Sequence, residues 1–180
     1  MKNIAVVIGT RPEAIKMAPV VTELKKIADI NVHVILTGQH DELVKSVLEL
    51  FSISADFDLE IMEEKQSLSE VTMKIISGLD LIFPKIKPKL VIVHGDTSTT
   101  FSAALAAFYH KIEVWHVEAG LRTYNIASPW PEEANRRLVS CIASKHFAPT
   151  EKAKENLINE NISNDAVYVT GNTVIDALMY

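Results

Sequence analysis

Runs of β-branched apolar residues alternate along this chain with segments long enough to form helices. The runs cover residues 3–8, 32–36, 89–93, 113–117 and 167–169, and shorter candidates lie at 56–59 and 146–148. Because the longer runs are apolar at successive positions, they predict strands that are buried on both faces. Strands that alternate with helices predict an α/β fold with a doubly wound, mostly parallel, Rossmann-like sheet and right-handed crossovers.

Two of the intervening segments carry clear helix signals. The sequence SLSE is a capping box, in which Ser67 caps the helix and Glu70 reaches back to it. The apolar residues that follow recur every three or four positions and define one face of a helix; they are Leu68, Val71, Ile75, Leu79 and Ile82. Residues 99–109 are rich in alanine, which predicts a helix that lies close against the sheet.

Composition excludes several other classes of protein. The 180 residues are 48% apolar and 23% charged, which is typical of a single globular domain and excludes disorder. The net charge of -5 argues against a partner that is nucleic acid or an anionic membrane. The first apolar run is broken at Gly9 and Pro12, too early for a membrane span or a signal peptide. We therefore expect a cytoplasmic setting, with the single cysteine, Cys141, buried in a helix.

Polar residues follow the predicted strands where each one ends. Ligands of parallel sheets bind outside the carboxyl ends of the strands, so these segments indicate the binding edge. They are GTRPEAIK (9–16), TGQH (37–40), HGDTSTT (94–100) and HVEAGLRT (116–123), and PWPEEANRR (129–137) opens a later helix. Together they bring cations, carboxylates and hydroxyls to one edge, which suits an anionic ligand rich in oxygen.

Several of these residues have both a functional and a purely structural interpretation. Arg11 and Lys16 lie at a helix start that could receive a phosphate, although glycine and proline there are also ordinary turn residues. Asp96 is either a ligand-facing carboxylate or the cap of the next helix. Glu118 follows a strand that we expect to neighbour the strand before Asp96, and two carboxylates at adjacent strand ends would take separate acid and base roles. In PEEANRR, Glu132 and Arg136 either face the cleft or pair at i, i+4 on the helix surface.

A metal site is a competing interpretation of the same edge. His94 and Asp96, like His116 and Glu118, are two residues apart, and strand residues two apart share a face. Two histidines and two carboxylates could bind a divalent cation for hydrolysis. The residues alone leave this alternative open.

Six motifs taken in order resemble the bacterial non-hydrolysing UDP-N-acetylglucosamine 2-epimerases. They are GTRPEAIKMAP, TGQH, HGDT, HVEAGLRT, SPWPEEANRR and TGNTVIDAL. The resemblance implies one half of a glycosyltransferase B-type fold, with residues 1–170 as the amino-terminal Rossmann-like domain and 171–180 starting the connection to a second domain. It also implies interconversion of UDP-N-acetylglucosamine and UDP-N-acetylmannosamine without cofactor or metal, for polysaccharide precursor synthesis. The alternatives are a hydrolysing epimerase, which releases N-acetylmannosamine and UDP, and a non-catalytic module that binds sugar nucleotides.

The resemblance also implies roles for individual residues. Asp96, Glu118 and Glu132 match catalytic carboxylates, which act while UDP is eliminated and added back with proton exchange at C2. Arg11, Lys16 and Arg136 match substrate-binding groups. Gln39, Lys65 and Gln66 match a regulatory site for a second substrate molecule, with lysine at position 65 where the family has arginine. The family further implies a homodimer, and half of a cleft implies that the isolated chain is inactive.

Overall fold

The computed structural model describes residues 1–38 and 41–180, which form a parallel sheet flanked by helices. The strands are β1 (Lys2–Ile8), β2 (Ile30–Leu36), β3 (Phe57–Asp58), β4 (Leu90–His94), β5 (Glu113–Val117), β6 (Lys145–Ala148) and β7 (Val167–Val169). The helices are α1 (Arg11–Lys25), α2 (Asp41–Leu50), α3 (Leu68–Ile86), α4 (Ser98–Tyr109), α5 (Glu132–Ile142), α6 (Glu151–Asn159) and α7 (Val174–Leu178). The predicted doubly wound parallel sheet is confirmed.

Both faces of β1 are covered from residue 4 to residue 8, which explains the uninterrupted apolar sequence there. Ile4 and Val6 of β1 pack into a core with α1 and α2, whereas Ala5 and Val7 pack into a second core with α3 and α4. Successive strand residues point to opposite faces, so a strand between two helical layers needs an apolar side chain at every position.

The two predicted helix signals have structural counterparts. The Ser67 hydroxyl accepts from the Glu70 backbone N–H at 3.2 Å, and the Glu70 carboxylate accepts from the Ser67 N–H at 2.7 Å. The four later residues of the predicted apolar face are buried, but Leu68, in the first turn, is 38% exposed. In α4, Ala103, Ala104, Ala106 and Ala107 are fully buried, as expected for a helix that lies close to the sheet.

The strands lie side by side in the order β3-β2-β1-β4-β5-β6-β7. The chain therefore adds strands on one side of β1 first and then, from β4 onwards, on the other side. Chain connections leave these two strands in opposite directions, which opens a crevice at their carboxyl ends. The prediction that Asp96 and Glu118 follow neighbouring strands is confirmed, because β4 pairs with β5.

Cys141 is exposed, so the prediction that it is buried is wrong. The buried face of α5 carries Glu133, Val139 and Ser140, and the next position along the helix turns towards solvent. Among the helices in the described part of the chain, none has both the length and the apolar character needed to cross a membrane.

Candidate active site

The crevice between β1 and β4 gathers charged side chains from distant parts of the sequence. The loop after β1 and the first turns of α1 form one side, and the loops after β4 and β5 form the other. The backbone of Gly9 lies close to the Thr99 side chain, since a Cβ on Gly9 would lie 2.1 Å from the Thr99 hydroxyl oxygen. Only glycine therefore fits at the end of β1.

Glu118 lies at the centre of one cluster. Its Oε2 accepts from Lys16 Nζ at 2.6 Å and from Asn172 Nδ2 at 3.0 Å, and it lies 3.8 Å from His94 Nε2. The φ angle of Glu118 is 59°, a left-handed conformation that costs energy for a residue with a side chain. The fold therefore holds this carboxylate in place at an energetic cost, as is common at functional sites.

His94 ends β4 directly behind this carboxylate. The ring is 4% exposed, and neither nitrogen has a hydrogen-bond partner among the described residues. Burial lowers the pKa of His94 to about 3, and the positive charge of Lys16 acts in the same direction. His94 is therefore a neutral imidazole at physiological pH.

Asp96 forms a second cluster with the start of α5. Its carboxylate pairs with the Arg136 guanidinium, and its backbone carbonyl accepts from Asn135 Nδ2 at 2.9 Å. Burial raises the pKa of Asp96; Arg136 opposes that shift, and the nearby negative charges of Glu132 and Glu118 add to it. Glu118 and Glu132 thus lie close enough to Asp96 to affect its pKa, and Asp96 retains a proton more readily than an ordinary aspartate.

Glu13 was not predicted from the sequence as part of the site. It is 3% exposed and accepts from the backbone N–H groups of Gly9 and Thr10 at 2.6 and 2.9 Å. Its other oxygen accepts from the hydroxyls of Thr97 and Thr100 at 2.6 and 3.4 Å. Burial raises the pKa of Glu13, and these four hydrogen bonds oppose the shift. One buried carboxylate therefore joins the loop after β1 to the loop after β4.

Glu133 and Arg122 fix the loop between β5 and α5. Glu133 is fully buried and accepts from the backbone N–H groups of Thr123 and Tyr124 at 3.1 and 3.3 Å. The Arg122 guanidinium is fully buried and makes two hydrogen bonds, of 2.8 and 2.7 Å, to the Glu160 carboxylate. These contacts fix the loop that leads to Glu132, the first residue of α5.

The structure decides several of the alternatives that the sequence left open. Thr97 rather than Asp96 caps α4, because its hydroxyl accepts from the Thr100 N–H. Arg136 pairs with Asp96 and with Glu133. Glu132 is half-buried at the start of α5 and Arg11 is exposed at the start of α1.

Two of the three residues assigned to a regulatory site lie in the loop just before α3. Gln66 organises its own loop, donating to the Ile61 carbonyl at 2.7 Å and accepting from the Glu63 N–H at 3.0 Å. Lys65 is exposed with a φ of 61°, and Gln39 lies outside the described residues.

The geometry does not assemble the predicted metal-binding group. His116 Nε2 lies 2.7 Å from the Gly95 carbonyl, so that nitrogen carries a proton and donates to it. Within residues 1–38 and 43–180, no three histidine, cysteine, aspartate or glutamate side chains are grouped to hold a metal ion. What the edge does offer is two carboxylates, each beside a cation, which suits proton transfer next to a bound anion.

Comparison with known proteins agrees with this chemistry. Residues 22–180 match the sequence profile of the family described as UDP-N-acetylglucosamine 2-epimerase. The chain belongs to this family. A UDP-N-acetylglucosamine 2-epimerase of Neisseria meningitidis serogroup A is 61% identical over 177 residues, which are 98% of this chain and 48% of the relative. The protein of that name from Bacillus subtilis is 57% identical and is matched over 99% of this chain and 47% of its own length. The chain spans about half the length of these curated relatives.

Solved structures of family members share the fold. The Neisseria meningitidis epimerase bound to UDP-GlcNAc has a TM-score of 0.94 at 61% identity, over 99% of this chain and 49% of that one. The Methanocaldococcus jannaschii epimerase in complex with UDP-GlcNAc and UDP has a TM-score of 0.92 at 39% identity, over 98% and 48%. The galactosyltransferase WaaB, 15% identical with a TM-score of 0.65, shares the fold alone and supports the expected glycosyltransferase B-type architecture.

Proposed function

We propose that this chain supplies one half of an enzyme that interconverts UDP-N-acetylglucosamine and UDP-N-acetylmannosamine. The observation that carries the proposal is the pair of ion pairs, Lys16–Glu118 and Arg136–Asp96, at the edge where the strand order reverses. Each places a carboxylate beside a cation, which is what simultaneous proton transfer and loss of a diphosphate require. The family's description and the sugar nucleotides bound to its solved members support the substrate class.

In the proposed reaction, a base removes the proton from C2 while the C1–O bond to UDP breaks. The electron pair of the C2–H bond forms the C1–C2 double bond of a 2-acetamidoglucal, and UDP leaves with the bonding pair of the C1–O bond. UDP then adds back to C1 while C2 receives a proton on the opposite face. Asp96, Glu118 and Glu132 are the candidate acids and bases, and Arg11, Lys16 and Arg136 bind the diphosphate and sugar.

The proposal extends to the assembly in which the reaction occurs. Residues 1–170 form the amino-terminal domain, 171–180 begin the connection to the second half, and the working enzyme is a cytoplasmic homodimer that feeds polysaccharide synthesis. Gln39, Lys65 and Gln66 contribute to a site for a second substrate molecule. Because one half of a cleft cannot enclose and desolvate the substrate, residues 1–180 alone give no epimerisation.

The test is a chimera in which residues 1–180 are followed by the remaining part of the Neisseria meningitidis relative. In deuterated water, NMR should find deuterium at C2 of both epimers, because the proton leaves and returns. Asp96→Asn and Glu118→Gln preserve size but remove the acid–base group, so turnover should fall about a hundredfold or more, equivalent to about 3 kcal/mol of barrier. Glu155→Gln, which changes an exposed carboxylate on α6, is the matched control.

Three results would contradict the proposal in different ways. Near-normal turnover in both carboxylate variants would make Asp96 and Glu118 structural anchors. Release of N-acetylmannosamine and UDP as the only products would indicate the hydrolysing reaction. Binding of UDP-N-acetylglucosamine with no product and no glycal would indicate a non-catalytic sugar-nucleotide module.

A further inference from the structure

Among the residues that the structure describes, the side-chain polar contacts of Glu118 all involve one oxygen, Oε2. Lys16 Nζ, Asn172 Nδ2 and the more distant His94 Nε2 all lie on Oε2, at 2.6, 3.0 and 3.8 Å. The side chain is 13% exposed, so it has few alternative orientations. A carboxylate held by one oxygen presents the other in a fixed direction, which matters for a group that must reach one particular proton.

Asn172 joins this carboxylate to the segment that follows the sheet. Its Nδ2 donates to Glu118 Oε2, and its Oδ1 accepts from the Val174 N–H at 3.1 Å, at the first residue of α7. Helix α7 lies against α1, and α1 carries Lys16. The two donors to Glu118 are therefore supported by one pair of packed helices, although Asn172 follows Glu118 by 54 positions.

Lys16 and Asn172 differ in what they can do once a ligand arrives. The ammonium of Lys16 is a mobile charge that a bound diphosphate attracts. The amide of Asn172 is neutral, and its other end is bonded to the backbone of α7. Asn172 can therefore keep its donor on Oε2 while Lys16 turns towards the phosphates.

We propose that Asn172 is a positioning residue for the epimerisation, holding Oε2 of Glu118 so that Oε1 faces the reacting sugar. This role rests on the function proposed above. Its physical basis is that a reacting group displaced by about 1 Å loses up to about a hundredfold in rate, even when the ligand still binds.

Asn172→Asp separates this role from the simpler one of starting α7. Aspartate keeps the oxygen that accepts from the Val174 N–H, but it replaces the donor by an oxygen that repels Glu118 Oε2. In the chimera we expect kcat to fall tenfold to a hundredfold, with KM changed less than about threefold. Asn164→Asp adds the same charge at an exposed position and should leave kcat unchanged.

A double-mutant cycle shows whether Asn172 acts through Glu118. In a chimera that already carries Glu118→Gln, Asn172→Asp should cause no further loss of kcat. A full additional loss would overturn the proposal. So would a wild-type kcat for Asn172→Asp alongside a slow Asn172→Ala, since only the α7 contact would then matter.

A measurement on residues 1–180 keeps this inference separate from the proposed function. The side-chain amide NMR signal of Asn172 should shift on Glu118→Gln and remain in place on Glu155→Gln. An insensitive signal together with an active wild-type chimera overturns the role of Asn172 alone. An inactive wild-type chimera overturns the proposed function, and the role with it.

Discussion

Three uncharged histidines inside the fold should make this chain sensitive to mild acid. His94, His116 and His146 are 4%, 0% and 1% exposed. Burial lowers the pKa of His94 and His116 to about 3 and that of His146 to about 4, from 6.5. Because each pKa is lower in the folded state, the unfolded chain binds protons that the folded chain does not below about pH 6.5. The free energy of unfolding therefore falls as pH decreases from about 6.5 towards 3–4.

The loss of unfolding free energy at pH 5.5 depends almost entirely on proton binding by the unfolded chain, since all three folded pKa values lie well below that pH. Since pH 5.5 is about one unit below the histidine pKa in the unfolded chain, each buried histidine lowers the free energy of unfolding by about 1.4 kcal/mol, and the three together lower it by about 4 kcal/mol. Small domains have only about 5–15 kcal/mol of stability in total. The loss between pH 7.5 and 5.5 should therefore be large enough to measure directly.

His116→Gln isolates one of the three contributions. Glutamine can place an amide nitrogen near the Gly95 carbonyl, which His116 Nε2 approaches to 2.7 Å, and it never takes up a proton. Urea unfolding followed by circular dichroism at the two pH values gives the loss for each protein. The variant should lose about 1.4 kcal/mol less than the wild type. His110→Gln is the control, because His110 lies at the surface against Asp80, 2.8 Å away.

The comparison of losses, rather than of absolute stabilities, removes the packing cost of the substitution and the titration of all other groups. An equal loss in His116→Gln and in the wild type would refute the reasoning. It would mean that His116 accepts a proton in the folded chain and that burial does not keep the ring neutral. An equally reduced loss in His110→Gln would also refute it, because the effect would then not require burial.

Glu13→Ala should lower the free energy of unfolding by about 2–4 kcal/mol in urea titrations, since it leaves buried N–H donors without an acceptor; Glu13→Gln should cost less, and equal costs would contradict this account. Ser67→Ala should cost about 1 kcal/mol through loss of the α3 cap, and Ser69→Ala in the same turn should cost less. Cys141 should react with a thiol reagent in the folded chain nearly as fast as in urea, and protection would contradict its exposed position.

Much of the fold was predictable because its signals are local. The buried strands follow from continuous apolar runs, and the capped helix α3 follows from its capping box and a period of 3.6 residues; each of these patterns lies within one short stretch of sequence. Ligands of parallel sheets bind at the carboxyl ends of strands, so the residues after each strand indicated the edge that carries Asp96 and Glu118. These predictions needed no knowledge of which strands are neighbours.

The partners of the site residues could not be predicted in this way. Lys16 and Glu118 are 102 positions apart, and Arg136 and Asp96 are 40 apart. Their contacts exist because β4 inserts between β1 and β5 and because α5 returns over the loop after β4. The sequence by itself determined which residue types reach the binding edge, since that depends only on which residues directly follow each strand. The tertiary structure alone decided that Arg136 pairs with Asp96 and that Asn172 holds Glu118, because those contacts depend on strand order and helix packing across the chain.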